Sequence, residues 1–336
     1  MSCPRVLLFS SCVFLLVFHL SLSFASPSNS MAMPLGAIDY SGGNSSLHVL
    51  RGSPEYTSIA LESPSIVMEE KSKDLETFQV FGLPGEPFIM EEGVPTVPQV
   101  SRFYRIPNTG GVDLVISNLD DFELRENINV MPYQEEGTEH FGLARSAVYD
   151  QDQWYPPVVA EMSSPMIMRD FRLVRVAIYP VQVNPVTHQE RIYNNIGVEI
   201  VANDSPGENE LTNPRQISGA WVPLYRNLIP NLDEGALDDA SNTPGSILIL
   251  TSNNASPHQW ADSLAFWKRR KGYNVTVDAR ASWTSTTARS AILTAYQTWD
   301  PPLEYAILMG DPGANWGIPV TGGYGDSYDH EYASLT

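Results

Sequence analysis

The chain has 336 residues, 43% of them hydrophobic and 18% charged, so it is long enough for two ordinary domains. Asp and Glu total 39 against 20 Lys and Arg, which gives a net charge of -19. Such an acidic surface repels phosphate backbones, so we expect no general nucleic-acid binding. The 26 prolines and 23 glycines indicate many turns and favour strand-rich structure over a helical bundle.

The first 25 residues have the pattern of a secretory signal peptide. Arg5 precedes an apolar run at residues 6–22, and Ala25 ends a small-x-small cleavage site. We therefore expect a secreted or cell-surface protein with no membrane span after cleavage. Both cysteines, Cys3 and Cys12, lie in this segment. The mature part is then expected to contain no thiol for a disulfide, a zinc site or a nucleophile.

The next two regions differ in texture. Residues 26–76 are rich in Ser, Gly and Pro without a sustained period, which predicts a low-order leader or short edge strands. In residues 77–202 short apolar runs alternate with turn residues, which predicts an all-β domain, an antiparallel sandwich or barrel-like fold. Apolar residues alternate most clearly in residues 171–179 and 195–202. We interpret these two stretches as the arms of one long antiparallel hairpin.

Residues 203–244 read as a connector. They are polar or acidic apart from an apolar patch at residues 221–229. We place the domain boundary in residues 231–244, because an exposed acidic stretch with few core contacts tolerates a linker. Arg215 and Arg226 are candidate proteolytic cut sites within the connector, since each lies in a polar or Pro-flanked stretch.

From Gly245 onward, apolar strands alternate with helical segments. Strands are predicted at residues 246–250, 273–277 and 305–309, and helices from an N-cap at Ser256 and over residues 286–298. Strands that alternate with helices in this way indicate a parallel sheet with right-handed crossovers. Residues 245–336 are thus predicted to be the incomplete start of an α/β domain.

Three stretches taken in order resemble one family, the gingipain-like secreted cysteine peptidases with their prosegment. They are Gly85 to Pro107, the segment from Phe171 to Ile200 with Tyr179-Pro180-Val181-Gln182-Val183-Asn184-Pro185-Val186-Thr187, and the pair Trp267-Lys268-Arg269-Arg270-Lys271-Gly272-Tyr273 and Ile307-Leu308-Met309-Gly310-Asp311-Pro312 with Ile318-Pro319. The resemblance covers about Thr77 to Thr336. It implies a caspase-like peptidase domain that acts on proteins or peptides. It also implies a prodomain at residues 77–202 that chaperones and inhibits that domain as an intramolecular partner.

The resemblance also implies which catalytic residues are missing from this sequence. The family uses a cysteine thiolate activated by a histidine, and neither has a matching position here. Both are expected beyond Thr336, so we assign no catalytic residue and expect this stretch alone to be inactive. The open alternative is an exported, non-catalytic binding or cell-surface protein that reuses the prodomain and a degenerate α/β module.

Two local features carry further predictions. His188 stands where the family has Gly after Asn-Pro-x-Thr, so we expect it to adopt positive φ. Asp326, Asp329, His330 and Glu331 form an acidic cluster after a glycine-rich loop, and Asp311 precedes it. The resemblance makes structural Ca²⁺ possible there, although the chemistry requires no cofactor. A solvated loop and a metal-dependent hydrolase are the alternatives.

Overall fold

The computed structural model of the chain describes residues 47–73, 75–119, 122–135, 142–310, 317–319 and 329–333. These residues form two compact units. The first, here the β unit, contains the residues up to Pro214 together with Pro223–Asp238. The second, here the α/β unit, contains Arg215–Val222 and the residues from Asp239 on.

The expected signal peptide at residues 1–25 and the leader as far as residue 46 lie outside the described residues. Within the described ranges, the structure contains no helix of the length and apolar character that a membrane crossing needs.

The β unit is built from antiparallel strands. They are β1 (Leu47–Gly52), β2 (Tyr56–Glu62), β3 (Val67–Lys73), β4 (Glu76–Gly82), β5 (Val100–Arg105), β6 (Gly111–Leu119), β7 (Phe122–Glu126), β8 (Ala160–Met162), β9 (Met166–Met168), β10 (Phe171–Ile178), β11 (Val181–Asn184), β12 (Gln189–Tyr193) and β13 (Asn195–Asn203). The sheets have the orders β1-β2-β13-β6, β5-β10-β8 and β11-β12-β7; β9 also pairs with β10, and β3 pairs with β4. The predicted antiparallel all-β architecture is confirmed.

β10 and β13 supply the centre of the main core, but from two different sheets. β10 pairs with β5, β8 and β9, whereas β13 pairs with β2 and β6. The two strands share one buried cluster that contains Val174, Val176, Ile178, Ile196, Val198 and Ile200. The prediction of a hairpin between them is therefore wrong. Their matching apolar period reflects a core enclosed between facing sheets, as in a sandwich.

The region predicted as a low-order leader contributes a central strand. β2 lies between β1 and β13, and its residues Ile59 and Leu61 are fully buried. Ser58 and Ala60 alternate with them, so the two-residue period is present but short. The prediction failed because the long-range partner β13, about 140 residues away, is what makes this strand stable.

A second apolar cluster lies under β11 and β12. It contains Phe81, Val97, Ile128, Val130, Val181, Val183 and Ile192. β11 and β12 form a short antiparallel hairpin. The sequence pattern predicts this turn but places it between longer arms, at residues 171–179 and 195–202. His188 in its turn has φ 55°, which confirms the predicted positive φ, and its Nδ1 lies 3.2 Å from the Ile128 carbonyl oxygen.

The α/β unit has the predicted alternation. Its elements are β14 (Ser246–Ser252), α2 (Ala255–Arg270), β15 (Asn274–Arg280), α3 (Ser285–Thr298), β16 (Leu303–Met309) and α4 (His330–Ala333), and α1 (Val222–Leu228) begins at its border with the β unit. The strands form a parallel sheet in the order β15-β14-β16. The predicted parallel sheet is confirmed.

The two faces of β14 explain the layering of this unit. Ile247 and Ile249 pack in one cluster with residues of α2, and Leu248 and Leu250 pack in another with residues of α3. Successive side chains of a strand point to opposite faces, so one helix covers each side of the sheet. The α2 helix is capped by Asn254, which accepts from the Ser256 amide, two residues before the predicted N-cap.

Candidate functional site

The candidate functional site is the chain that leaves β13, since the two predicted cut sites lie there. We divide it into an entry loop (residues 204–211) and a processing segment (residues 212–217). The entry loop belongs to the β unit and the processing segment ends in the α/β unit.

A buried arginine anchors the entry loop. Arg172 of β10 is fully buried. It donates to the carbonyl oxygens of Pro107 at 2.8 Å, Gly110 at 2.8 Å and Glu208 at 2.7 Å. Burial lowers the pKa of this guanidinium, while the negative charges of Glu210 and Glu208 act in the opposite direction. The entry loop is thereby fastened to the core of the β unit by charge-assisted bonds.

A glycine and a carboxylate complete this anchor. A Cβ added at Gly207 would lie 2.3 Å from the Gly110 carbonyl oxygen, so only glycine allows this approach. The Glu210 carboxylate accepts from the amides of Gly110 at 2.9 Å and Gly207 at 3.2 Å. These two backbone bonds lower the pKa of Glu210.

The processing segment contains Arg215 and has no helix or strand. Thr212, Asn213, Pro214 and Gln216 are exposed, and Arg215 is half-buried. The Arg215 guanidinium lies over the Tyr296 ring, 3.6 Å from its centroid, and donates to the Tyr296 carbonyl oxygen. Exposed irregular chain of this kind is the preferred site of proteolytic nicking. The side chain of Arg215 must leave Tyr296 before a protease pocket can bind it.

Arg226 has a different setting. It lies within helix α1, and its guanidinium donates to Glu234 from Nε at 2.9 Å and from Nη2 at 2.7 Å. A protease binds its substrate as an extended strand, so this helix must unwind first. The structure therefore separates the two predicted cut sites and favours Arg215.

The stretch predicted as an exposed acidic linker, residues 231–244, is exposed at its acidic residues but not throughout. Asn231 and Leu237 are buried in the β unit, as are Tyr225 and Ile229 of the apolar patch before it. The Asn231 side chain donates to Thr57 Oγ1 at 2.7 Å, donates to the Arg105 carbonyl oxygen at 2.8 Å, and accepts from the Arg105 amide at 2.8 Å. The two units divide between Asp238 and Asp239, inside the predicted boundary stretch. The expectation of few core contacts is wrong for the part before this division, because Asn231 and Leu237 reach the core while the acidic residues beside them stay in water.

A buried carboxylate fixes the chain that follows Arg215. Ser218 and Glu304 are buried in the α/β unit. The Ser218 hydroxyl donates to the Glu304 carboxylate, which also accepts from the Gly245 amide at 2.9 Å. The chain after Arg215 is thus held independently of the entry loop before it. Sequence reasoning missed this contact, because nothing local to Ser218 points to a residue in β16.

The carboxyl edge of the parallel sheet is the other place where chemistry is expected. Ligands of open α/β sheets bind outside the carboxyl ends of strands where the strand order reverses. β14 and β16 flank such a point. Thr251 and Ser252 are buried there, and Trp283 Nε1 donates to the Thr251 carbonyl oxygen at 2.7 Å. Residues 311–316, which follow β16, lie outside the described residues.

The predicted acidic cluster is only partly covered by the described residues. In the acidic cluster, Asp311 and Asp326 fall outside the described residues, and burial raises the pKa of Asp329. Among the residues that the structure describes, no group of three or more His, Cys, Asp or Glu side chains could hold a metal ion. Calcium binding stays a prediction.

Comparisons with known proteins identify one family over residues 41–215 of the chain. A family model described as Propeptide_C25 matches residues 41–215. Gingipain R1 of Porphyromonas gingivalis is 23% identical over 235 residues, which are 66% of this chain and 23% of that protein. Gingipain R2 of Porphyromonas gingivalis (strain ATCC 33277) is 22% identical over 236 residues, which are 66% of this chain and 31% of that protein. The chain thus spans less than a third of these relatives.

A solved structure has a similar fold. It is titled "Complex of Porphyromonas gingivalis RgpB pro- and mature domains", and one of its chains matches with a TM-score of 0.51 and 21% sequence identity. The match covers 56% of this chain and 98% of that chain.

Proposed function

Because the chain belongs to the Propeptide_C25 family, we propose that its β unit is the inhibitory propeptide of a secreted, gingipain-type cysteine endopeptidase precursor. The family match and the gingipain relatives confirm the resemblance seen in the sequence. In this proposal the propeptide assists the folding of the peptidase domain and keeps it latent. A cut in the chain between them then acts as a proteolytic switch.

The observation that carries the proposal is that two boundaries lie one residue apart. The family match ends at residue 215, and the long stretch of the β unit ends at Pro214. Arg215 is also the basic residue of the exposed, irregular processing segment. We therefore place the activating cut between Arg215 and Gln216, with the anchored entry loop before it and the segment docked on Glu304 after it.

The catalytic chemistry is assigned to a longer form of the protein. No cysteine occurs after Cys12 in this sequence, whereas the proposed reaction needs a thiolate nucleophile and a histidine base. The α/β unit contributes the first strands of the peptidase domain and the carboxyl edge at which such residues are presented. Its partners in the proposal are its own propeptide and protein or peptide substrates outside the cell.

Limited proteolysis tests the cut site. We expect a brief trypsin treatment of the chain to produce a new amino terminus at Gln216, detected by terminal sequencing and intact mass. Arg215→Gln should abolish this product. Arg226→Gln removes the same charge from the exposed helix α1 and should leave the product unchanged, which makes it the matched control.

Latency is tested on the longer precursor with a fluorogenic peptide substrate. The uncut Arg215→Gln precursor should stay inactive, and the wild-type precursor should gain activity as the Gln216 terminus appears. Full activity of the uncut precursor would refute inhibition by the β unit. Activation with the chain intact from residue 206 to residue 244 would refute the placement of the cut.

A further inference from the structure

A fully buried carboxylate in the β unit has no hydrogen-bond donor among the residues that the structure describes. Glu190 of β12 is 0% exposed, and neither Oε1 nor Oε2 has a hydrogen-bond partner. Buried polar side chains almost always find a partner, so each exception calls for an explanation. An ionised carboxylate in this state has lost its hydration without replacement.

Its position in the sheet shows why it is poorly solvated. Glu190 points to the same face as Ile192, which belongs to the second apolar cluster. Its two neighbours across the sheet are Val183 on β11 and Arg125 on β7. Arg125 Nη1 lies 3.8 Å from Glu190 Oε2, beyond hydrogen-bond distance. The same guanidinium donates to Glu123 at 2.8 Å, so its charge is shared with a second carboxylate.

The other titratable groups around this cluster do not neutralise Glu190. Tyr149 and Tyr155 pack on the cluster, and burial raises the pKa of both, that of Tyr155 to about 12. Both are neutral over the working range of pH. Asp152 accepts from Asn184 at the end of β11 and brings negative charge. His188 is exposed in the β11–β12 turn, with its ring against the Ile128 carbonyl.

We propose that Glu190 makes the sheet β11-β12-β7 sensitive to pH, so that the sheet is tight when this carboxyl is protonated and loosens when it ionises. The proposal concerns the β unit itself and holds whether or not that unit is a propeptide. Where the unit does act as one, it would be tightest in acid and easiest to dismantle above neutral pH.

The direction follows from the burial. Burial raises the pKa of Glu190 from 4.5 to about 7, against the opposing effect of Arg125. The folded sheet therefore holds this proton more tightly than the opened sheet does. The stabilisation is complete below pH 4.5, declines as the pH rises from there to 7, and is absent above 7.

Hydrogen exchange on the full chain measures this directly. The opening constant of β12 amides, corrected for intrinsic exchange, should rise on the order of 50-fold between pH 5 and pH 8, since each pKa unit is a factor of ten. Peptides from β14 serve as an internal reference and should not show this rise. Glu190→Gln should flatten the pH dependence of β12, because the amide has the shape of the acid but does not ionise.

Two further variants make the test decisive. Glu126→Gln removes the same charge from an exposed position on β7 and should leave the pH dependence of β12 intact. Glu190→Met introduces an apolar side chain of similar length and is used if Glu190→Gln folds poorly. In this variant too, the opening constant of β12 should not change with pH. The proposal is overturned if wild-type β12 is no more pH-dependent than β14, or if both Glu190 variants keep the wild-type dependence.

Discussion

Replacing Arg172 with Met should destabilise the β unit and release the entry loop. The substitution leaves the carbonyl oxygens of Pro107, Gly110 and Glu208 without their donor. A hydrogen bond to a charged group contributes about 1.5–3 kcal/mol. The new methionine recovers part of the apolar burial, and the loops can take up water. We therefore expect a loss of about 3–5 kcal/mol in the free energy of unfolding, because each buried carbonyl oxygen left without a donor costs about 1–3 kcal/mol and the methionine and the water offset part of that sum.

Pulse proteolysis in urea, with the surviving fragment identified by mass, measures the unfolding of the β unit alone. Arg175→Met is the matched control, because Arg175 lies three residues further along β10 and is half-buried. Its Nη2 is 3.7 Å from Glu161 in a partly exposed pair, so its loss should cost under about 1 kcal/mol. Trypsin should also cut faster at Arg215 in Arg172→Met than in wild type. Equal urea midpoints for the two variants would show that the three carbonyl contacts do not anchor the loop.

Two smaller predictions concern single positions of the β unit, each read as a shift of the urea midpoint. His188→Val should cost about 1–2 kcal/mol of unfolding free energy, because a β-branched residue resists the φ of 55° found here. His188→Gly should be within about 1 kcal/mol of wild type. Equal losses in the two variants would mean that the contacts of the imidazole ring, and not the backbone conformation, are responsible. Asn231→Ala should cost about 2–3 kcal/mol, because it leaves the Thr57 hydroxyl and both backbone groups of Arg105 without their partner. Asn227→Ala changes an exposed residue and should be neutral. A neutral Asn231→Ala would mean that this stretch is a loose linker after all.

The sequence predicts the α/β unit well because its signals are local. β14 and β16 contain short apolar runs, β15 alternates apolar and polar residues, and the helices between the strands carry their own caps. Asn254 caps α2, and Thr284 forms a capping box with Thr287 at the start of α3. Gly272 ends α2 with φ 93°, as its position after a basic last turn suggests. Each of these features depends on residues a few positions apart, so it can be predicted without knowing which segment packs beside it.

The β unit is harder to predict because its strand pairing and its buried hydrogen bonds join residues that are far apart in the sequence. Strand β2 is stabilised by β13, and Asn231 bonds to Thr57 and Arg105, which lie more than a hundred residues earlier. Sequence period shows which residues turn inward but not which strand lies beside them. This is why the strands at residues 171–179 and 195–202 were predicted correctly as strands but wrongly as one hairpin.

The sequence predicts two candidate cut sites, both arginines, but does not show which of them is more accessible to a protease. Arg215 and Arg226 both lie in polar surroundings in the sequence. What separates them is the helix around Arg226 and its bidentate contact with Glu234. The signal that could have distinguished them is Tyr225 followed four residues later by Ile229, an apolar pair at helical spacing.

Three buried polar side chains of the β unit suit the role proposed for it, in which the unit folds to one structure and is later removed. Arg172 and Asn231 hold segments from distant parts of the chain, and each is bonded to backbone that no apolar side chain could satisfy. Such contacts fix one arrangement of the chain, and the loss of either is expected to destabilise the β unit. Glu190 goes further, since its ionisation weakens the sheet that contains it. This combination suits the role proposed for the β unit, that of a propeptide which folds once and is then removed.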